Sequence, residues 1–345
     1  MTAPPSPPLF APPALLSLVI PVFNERDSLV ILHAEIDEVA KRYELNVEII
    51  LVVDGSSDGS WDVIASLAEK DPRVRGVRFR KNFGKAAALA AGFKLVKGPI
   101  TITLDADLQD DPHETPRFLA TLHEGFDVVS GWKKFRVDPW HKTIPSRFFN
   151  RIVSALTGVR LHDHNCGMKG YRSEVLREVR LYGELHRFIP VLAAARGFRV
   201  GELAIHHRKR KFGRSKYGIA RFLRGFLDLL TVKFLTTFGR RPQHLLGGLG
   251  MLMLFLGMLG LTYLAITWVI RYLDPSSTLE PLHSRALLPY SLGAVLLGAQ
   301  FLCFGILAEM LANLQGRQEE PYSILEQTQP PESATESESR THAQS

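Results

Sequence analysis

From Leu245 to Ile270 the chain carries no charged side chain, and a run of that length has only two stable fates: a helix across a bilayer or a helix sealed in a large core. Crossing the ~30 Å hydrocarbon layer takes about 20 apolar residues of helix, and this run suffices. A second run, Ala286 to Leu314, has the same character although Pro289, Gln300, Glu309 and Asn313 interrupt it. Cores rarely need two such helices side by side, so the expectation is two membrane spans, at 244–271 and 286–314. On this reading Glu309 is an intramembrane carboxylate near the end of its span, within reach of Arg317 or lipid headgroups.

The charge distribution orients those spans. Lys and Arg outnumber Asp and Glu by 42 to 35, a formal +7, and the excess is local. His206 to Arg221 holds Arg208, Lys209, Arg210, Lys211, Arg214, Lys216 and Arg221 with no acidic residue. Juxtamembrane basic clusters favour anionic lipid surfaces by about 1 kcal/mol per residue and mark the cytoplasmic side. Arg240 and Arg241 add to the cluster, while the segment between the spans offers Arg271 and Arg285. The expectation is a multi-pass protein of the inner or plasma membrane with its N-terminal part and both termini in the cytoplasm. Nucleic acid is not an expected partner, because no recognition helix or aromatic stacking platform accompanies the basic stretch.

The chain ahead of the spans alternates short β-rich runs with amphipathic helical runs, the signature of βαβ units and a mostly parallel sheet. Leu15 to Ile20, Val47 to Val53, Val74 to Phe79, Ile100 to Leu104 and Asp127 to Ser130 read as strands; Ser28 to Tyr43, Ser60 to Lys70 and Lys85 to Val96 read as helices. Trp132 to Arg172 reads as a loose, Gly-, His- and Arg-rich stretch of the kind that holds chemistry. Tyr217 to Phe238 regains helical spacing, with Phe222, Phe226, Leu229, Leu230, Phe234 and Phe238 opposite Arg221, Arg224, Asp228 and Lys233, which reads as an interfacial helix within the juxtamembrane segment 216–243, with a core helix as the alternative. The α/β unit is expected at 15–215. A Pro-rich leader (1–14) without the features of a secretory signal and a polar tail (315–345) read as disordered. Cys166 and Cys303 give no disulfide framework.

Three strand ends carry polar motifs. Asp105, Ala106, Asp107 and Gln109 follow an apolar strand, and in open α/β sheets ligands collect outside the carboxyl ends of the strands. Hard cations such as Mg²⁺ or Mn²⁺ take one or two carboxylates there and fill their remaining positions with substrate phosphates. Pro21-Val-Phe-Asn-Glu25 and Asp54-Gly-Ser-Ser-Asp-Gly59 end the first two strands at the same edge. Asp54 can accept hydrogen bonds from a base or ribose, Gly55 and Gly59 permit a tight turn, and Ser60 suits a helix cap. Neither a Gly-x-Gly-x-x-Gly fingerprint nor a Gly-Lys-Ser/Thr loop is present, which argues against a nicotinamide fold and a P-loop ATPase. Lys85, opening an Ala-rich helix after Asn82-Phe-Gly84, reads equally as a diphosphate contact and as a surface lysine. His162, His164, His206 and His207 lack the spacing of a zinc site.

Val19-Ile-Pro-Val-Phe-Asn-Glu25, Val52-Val-Asp-Gly-Ser-Ser-Asp-Gly59, Leu104-Asp-Ala-Asp-Leu-Gln-Asp110 and Arg210-Lys-Phe-Gly-Arg-Ser-Lys216, in this order and followed by two spans, resemble family 2 glycosyltransferases of the polyprenyl-phosphate type, such as dolichol-phosphate mannose synthases and bactoprenol glucosyltransferases. The resemblance covers Leu15 to Leu314. It implies a GT-A fold that passes a hexose, of the UDP-glucose or GDP-mannose class, with inversion from a nucleotide-diphospho-sugar donor to a polyprenyl phosphate acceptor. On matching positions Pro21, Phe23, Glu25 and Asp54 hold the nucleoside. Asp105, Ala106, Asp107 and Gln109 face the donor diphosphate, with Asp105, Asp107 and Gln109 on Mg²⁺ or Mn²⁺. Arg210, Ser215 and Lys216 close over the phosphates, Arg210 and Asp107 serving catalysis. Asp163, in Asp163-His-Asn-Cys-Gly-Met-Lys169, matches the acidic position of the acceptor loop, and Arg187 follows a helix flanking the site. A homo-oligomer is compatible. Val53 departs from a common Asp, and Gly167-Met-Lys169 from a common Gly-Phe-Arg.

The chemistry of such a transfer agrees with the residues. A phosphate monoester has its second pKa near 6, so the acceptor is already anionic and needs no strong base. Bringing two anions together is the difficulty, which metal ligands and the basic stretch from Arg208 to Lys216 would relieve. Asp163 suits either orienting the acceptor or taking residual protons. A polysaccharide synthase would be expected to carry Gln-x-x-Arg-Trp and more spans, an aspartyl phosphatase a different residue after its second Asp, and a silent membrane-anchored scaffold an eroded acidic motif.

Overall fold

The computed structural model describes residues 12–134, 140–179, 181, 185–208, 220–238, 242–274 and 280–316. Seven strands form one sheet: β1 (Leu16–Val22), β2 (Val47–Val53), β3 (Val74–Arg78), β4 (Ile100–Thr103), β5 (Val128–Trp132), β6 (Lys169–Arg172) and β7 (Val200–Ala204), in the order β3-β2-β1-β4-β6-β5-β7. β1 runs parallel to β2 and β4, β2 to β3, and β5 to β7, while β6 is antiparallel to both β4 and β5. Two reversals cancel, so β5 and β7 point the same way as β1 to β4. The carboxyl ends of six strands and the amino end of β6 therefore share one edge, where the site is built.

Helices cover both faces, which is why β2 reads as an unbroken apolar run and is buried along its whole length. On one face α1 (Arg26–Arg42), α2 (Ser60–Lys70) and α4 (Thr115–His123) bury Leu29, Leu32, Ile36, Ile64, Phe118 and Leu122 against Leu18, Ile20, Leu51 and Ile102. On the other, α3 (Lys85–Phe93) packs Ala88 and Leu89 on Val19, Ile50 and Val52. Its Ala-rich composition permits close approach, and an added methyl at Gly92 would stand 2.4 Å from Val19 Cγ1.

The stretch from Trp132 to Arg172 is more ordered than its composition suggests. It contains α5 (Trp140–Thr157), whose Phe149 and Val153, four apart, pack with Leu185, Phe188, Val191, Leu229 and Val232, and it ends in β6. Lys-Gly-Tyr-Arg has little intrinsic β preference; pairing on both sides makes it a strand. α6 (Ser173–Glu178), a 3₁₀ turn at Leu185–Phe188 and α7 (Ile189–Ala195) complete the α/β unit.

α8 (Ala220–Phe238) combines features of both readings of its segment. Leu229 and Val232 are fully buried against α5 and α7, whereas Phe226, Leu227 and Leu230 are exposed. The helix thus has two apolar strips, one serving the core. α9 (Pro242–Leu273) and α10 (Leu287–Gly316) form an antiparallel hairpin of two helices long and apolar enough to cross a membrane. They meet at Gly250, Gly257 and Gly298; a methyl on Gly298 would lie 2.7 Å from Gly250 O. Tyr263, Ile266, Leu296 and Phe304 are exposed around the hairpin, as expected of side chains solvated by lipid, and the protein is a membrane protein. Glu309 turns out to sit at the α/β end of the hairpin, where Oε2 accepts the Gln243 N–H at 3.3 Å in the first turn of α9. Arg317 lies outside the described residues.

Candidate active site

The loops after β1 and β2 are laced together before any ligand is considered. Asn24, at φ 54°, donates its N–H to Ser56 Oγ (3.0 Å) and accepts the Ser57 N–H at Oδ1 (2.9 Å). Arg26 N–H reaches Asp58 Oδ2 (3.0 Å), and Glu25 N–H reaches Ser60 Oγ (3.2 Å). Ser60 is therefore not the cap of α2. It is the first helical residue, and Asp58 Oδ1 accepts its N–H at 3.0 Å. Pro21 and Phe23 lie at the end of β1, with Pro21 in register with Val52.

Asp54 is 4% exposed, and its carboxylate accepts the N–H groups of Phe83 (2.6 Å) and Gly84 (2.9 Å), fastening the loop that leads into α3. Two further acceptor positions remain on the carboxylate for a nucleoside. Gly55 is required twice over: its φ is +67°, and a Cβ there would lie 2.3 Å from Asn82 N. The N–H groups of residues 83 and 84 are thus occupied by Asp54.

Lys85 is not a surface lysine without a role. Its ammonium hydrogen-bonds the carboxylate of Asp105. Burial pushes Asp105 up, but Lys85, Lys133 and Lys169 outweigh it and hold the acid at about 2. Asp107 Oδ1 accepts the Gln109 N–H at 3.1 Å, and between them Leu108, 1% exposed, has φ +61°, an uncommon backbone for a bulky residue. The Ala106 side chain is buried in the core. Among the described residues no group of three or more His, Cys, Asp or Glu is arranged to hold a metal. The donor set of Asp105, Asp107 and Gln109 nevertheless fits a hard divalent cation that completes its shell with phosphate oxygens, and the Lys85 ammonium already places one positive charge on Asp105.

A buried polar layer beneath Asp105 was not foreseen, although Asp110 closes the same acidic motif. Asp110 Oδ2 accepts the Asp105 N–H (3.2 Å), and Oδ1 pairs with Lys133 Nζ (3.2 Å) at the end of β5. Burial disfavours the charge on Lys133, but Asp110 and its acidic neighbours hold it protonated. Lys169 hydrogen-bonds the Cys166 carbonyl, and burial pulls its pKa down. Gly167 lies directly against the Asp105 carboxylate, since a Cβ would stand 2.3 Å from Asp105 Oδ2.

Asp163 is 1% exposed and accepts the Asn165 N–H at Oδ1 (3.0 Å), so it caps its own loop. Arg208 leaves the group expected to meet the acceptor phosphate: it pairs with both oxygens of Glu35 (2.9 and 2.8 Å) and with Asp111 (2.6 Å), and its N–H bonds Gln109 O. It anchors the start of the basic segment to the acidic loop. Arg210, Ser215 and Lys216 lie outside the described residues. Arg187 is buried, with its Nη1 3.4 Å from the Cβ position of Gly225 on α8.

Residues 17–180 match the glycosyl transferase family 2. The chain is 37% identical over 302 residues, 86% of its length and 87% of the relative's, to a dodecaprenyl-phosphate galacturonate synthase of Rhizobium johnstonii. It is 35% identical over 305 residues to an undecaprenyl-phosphate 4-deoxy-4-formamido-L-arabinose transferase of Edwardsiella ictaluri, covering 87% and 89%. Among solved structures, glucosyl-3-phosphoglycerate synthase from Mycobacterium tuberculosis, in complex with Mn²⁺, UDP and phosphoglyceric acid, has a TM-score of 0.51 at 16% identity over 64% of this chain and 78% of that one. Mannosyl-3-phosphoglycerate synthase from Rubrobacter xylanophilus gives 0.51 at 19%, over 64% and 74%. These structures share the GT-A-like sheet. With the acidic motif at its carboxyl edge and relatives matched along nearly the whole chain, this protein belongs to glycosyl transferase family 2 and is a glycosyltransferase.

Proposed function

We propose that the protein transfers a pyranose from a nucleotide-diphospho-sugar to a polyprenyl phosphate, forming a lipid-linked sugar at the cytoplasmic face of the membrane. The observation that carries this reading is the pairing of an acidic, phosphate-ready strand edge with an apolar helical hairpin, and relatives named for the same acceptor class support it. Glucose, mannose, N-acetylhexosamine and aminoarabinose donors all suit this framework, and the relatives' names, for a galacturonate and a 4-deoxy-4-formamido-L-arabinose, support including a uronate and a substituted aminopentose among the donors tested.

An oxygen of the acceptor phosphate attacks the anomeric carbon, the bond from that carbon to the diphosphate breaks, and the nucleoside diphosphate leaves with inverted configuration at the sugar. A divalent cation on Asp105 and Asp107, with Gln109, would neutralise the diphosphate and the charge it gains on leaving. Pro21, Phe23, Glu25 and Asp54 frame the nucleoside, and Lys85 passes from Asp105 to the diphosphate. Arg210, Ser215 and Lys216 close over the phosphates beside the bilayer. The attacking oxygen is already anionic, and Asp163 is too enclosed to collect a proton from a lipid headgroup, so we assign Asp163 an orienting part.

Purified protein in detergent, given Mn²⁺ or Mg²⁺, undecaprenyl phosphate and a panel of radiolabelled UDP- and GDP-sugars, should yield a labelled lipid with at least one donor and none with Asp107→Ala. Nucleotide binding without any lipid product across the panel would count against the acceptor assignment.

A further inference from the structure

We propose that Glu202 is a positioning residue for Asp163, fastening the loop that carries it to the catalytic edge of the sheet. This rests on the orienting part assigned to Asp163. Glu202 lies on β7, in register with Ser130 of β5. Its Oε1 accepts two consecutive backbone N–H groups, those of His162 (2.8 Å) and Asp163 (3.0 Å), and its Oε2 bonds Nδ1 of His162 (2.6 Å). The His162 ring is stacked on Trp132, with centroids 4.1 Å apart and planes 16° apart, so the ring is clamped between an aromatic face and a carboxylate. From the neighbouring strand, Ser130 Oγ donates to the Asp163 carbonyl at 3.4 Å. Both main-chain polar groups of Asp163 are thus held by side chains of adjacent strands, and Glu202 supplies three of the loop's fastenings.

The physical consequence is specific. A loop of this length has no regular hydrogen bonding of its own, so its conformation is set by the groups that receive its N–H donors. Without Glu202 two adjacent donors lose their acceptor, and the carboxylate of Asp163 loses its fixed direction. A glutamine can still accept both N–H groups through Oε1, and its amide can meet the other tautomer of His162. Fastening therefore predicts that Glu202→Gln is tolerated and Glu202→Ala is not.

Full-length protein in detergent would be assayed with undecaprenyl phosphate and the donor identified by the panel above, alongside amide hydrogen exchange over residues 160–168. Glu202→Ala should lower kcat about 100-fold, the scale of a misplaced orienting group, with the donor KM within about twofold. Glu202→Gln should stay within about fivefold of wild type on the same measure. Exchange over 160–168 should accelerate in Glu202→Ala and not in Asp163→Asn. In Glu202→Ala/Asp163→Asn the losses should not multiply, because one residue acts through the other. Multiplying losses, a Gln variant as poor as Ala, or unchanged exchange in Glu202→Ala would overturn the proposal while leaving the reading of Asp163 intact. Asp163→Asn at wild-type kcat would instead refute that reading, and the proposal with it.

Discussion

Lys85, the first residue of α3, is hydrogen-bonded through its ammonium to the carboxylate of Asp105 at the end of β4. Both side chains are about a third exposed or less, so solvent screens the pair to roughly 0.5–1 kcal/mol. Because a divalent cation on Asp105 must compete with that ammonium, Lys85→Met should bind Mn²⁺ about two- to fivefold more tightly in the absence of nucleotide. It should also bind the donor more weakly. Titration of free Mn²⁺ by electron paramagnetic resonance reads the first effect; tighter binding failing to appear means that Lys85 does not compete.

Asp54 spends both carboxylate oxygens on the loop before α3. Asp54→Asn keeps one acceptor oxygen and turns an NH₂ toward the other backbone donor, at a cost of about 1–3 kcal/mol for the buried group left unsatisfied. The donor KM should rise at least several-fold, and thermal unfolding should move down. A variant with unaltered nucleotide affinity by calorimetry would separate Asp54 from the donor pocket.

At Gly167 the absent side chain is the functional feature. A methyl placed 2.3 Å from Asp105 Oδ2 forces the carboxylate aside, so Gly167→Ala should lose about 100-fold in transfer, with Mn²⁺ affinity falling in parallel. Circular dichroism should remain that of the folded protein. Retained Mn²⁺ affinity would show that Asp105 is not where the metal sits.

Arg208 holds Glu35 of α1 and Asp111 of the acidic loop together. Removing it takes the paired cation from two largely buried carboxylates and leaves Asp111 with its His113 contacts, and Arg208→Ala should cost about 2–3 kcal/mol of stability. Arg208→Lys should recover less than half of that, since an ammonium cannot span both acids in a fork. Denaturant titration of the three proteins in detergent decides the point.

His164 is fully buried with Nε2 3.2 Å from Ser154 Oγ. Burial, helped by Lys169 and opposed by Asp163, lowers its pKa to about 4 from the ordinary 6.5. The unfolded chain takes up this proton below about pH 6.5 and the folded one does not until about pH 4, so the stability gained from the neutral ring is whole above 6.5 and lost as pH falls through that window. The loss approaches roughly 3 kcal/mol. Thermal midpoints followed from pH 7.5 to 4.5 should fall less steeply for His164→Gln than for wild type; parallel curves would sink the assignment.

Much of this was legible in the chain. The strands β1 to β5 and the helices α1 to α3 are within a few residues of the hydrophobic pattern, because each is buried on the face its period presents, whereas α4 was not foreseen. β6 and α5 were not, since a four-residue strand containing Lys, Gly and Arg has no pattern of its own. Asp105, Asp107, Gln109 and Asp54 were readable as polar residues closing apolar strands. Lys133, Glu202 and Gly167 were not, because nothing local marks a residue whose partner is more than 20 positions away.

The sequence by itself determined the order of the elements from β1 to β4, the shared edge of the first strands and the two apolar spans, all of which follow from local periodicity and length. Only the tertiary structure decided that Arg208 serves as an anchor, that Lys85 meets Asp105, that Leu229 faces the core while Leu230 faces outward, and that Asp163 hangs from Glu202. The reason is physical: hydrophobic burial is written along the chain as a period, whereas the partner of a charge depends on which strands the fold sets side by side.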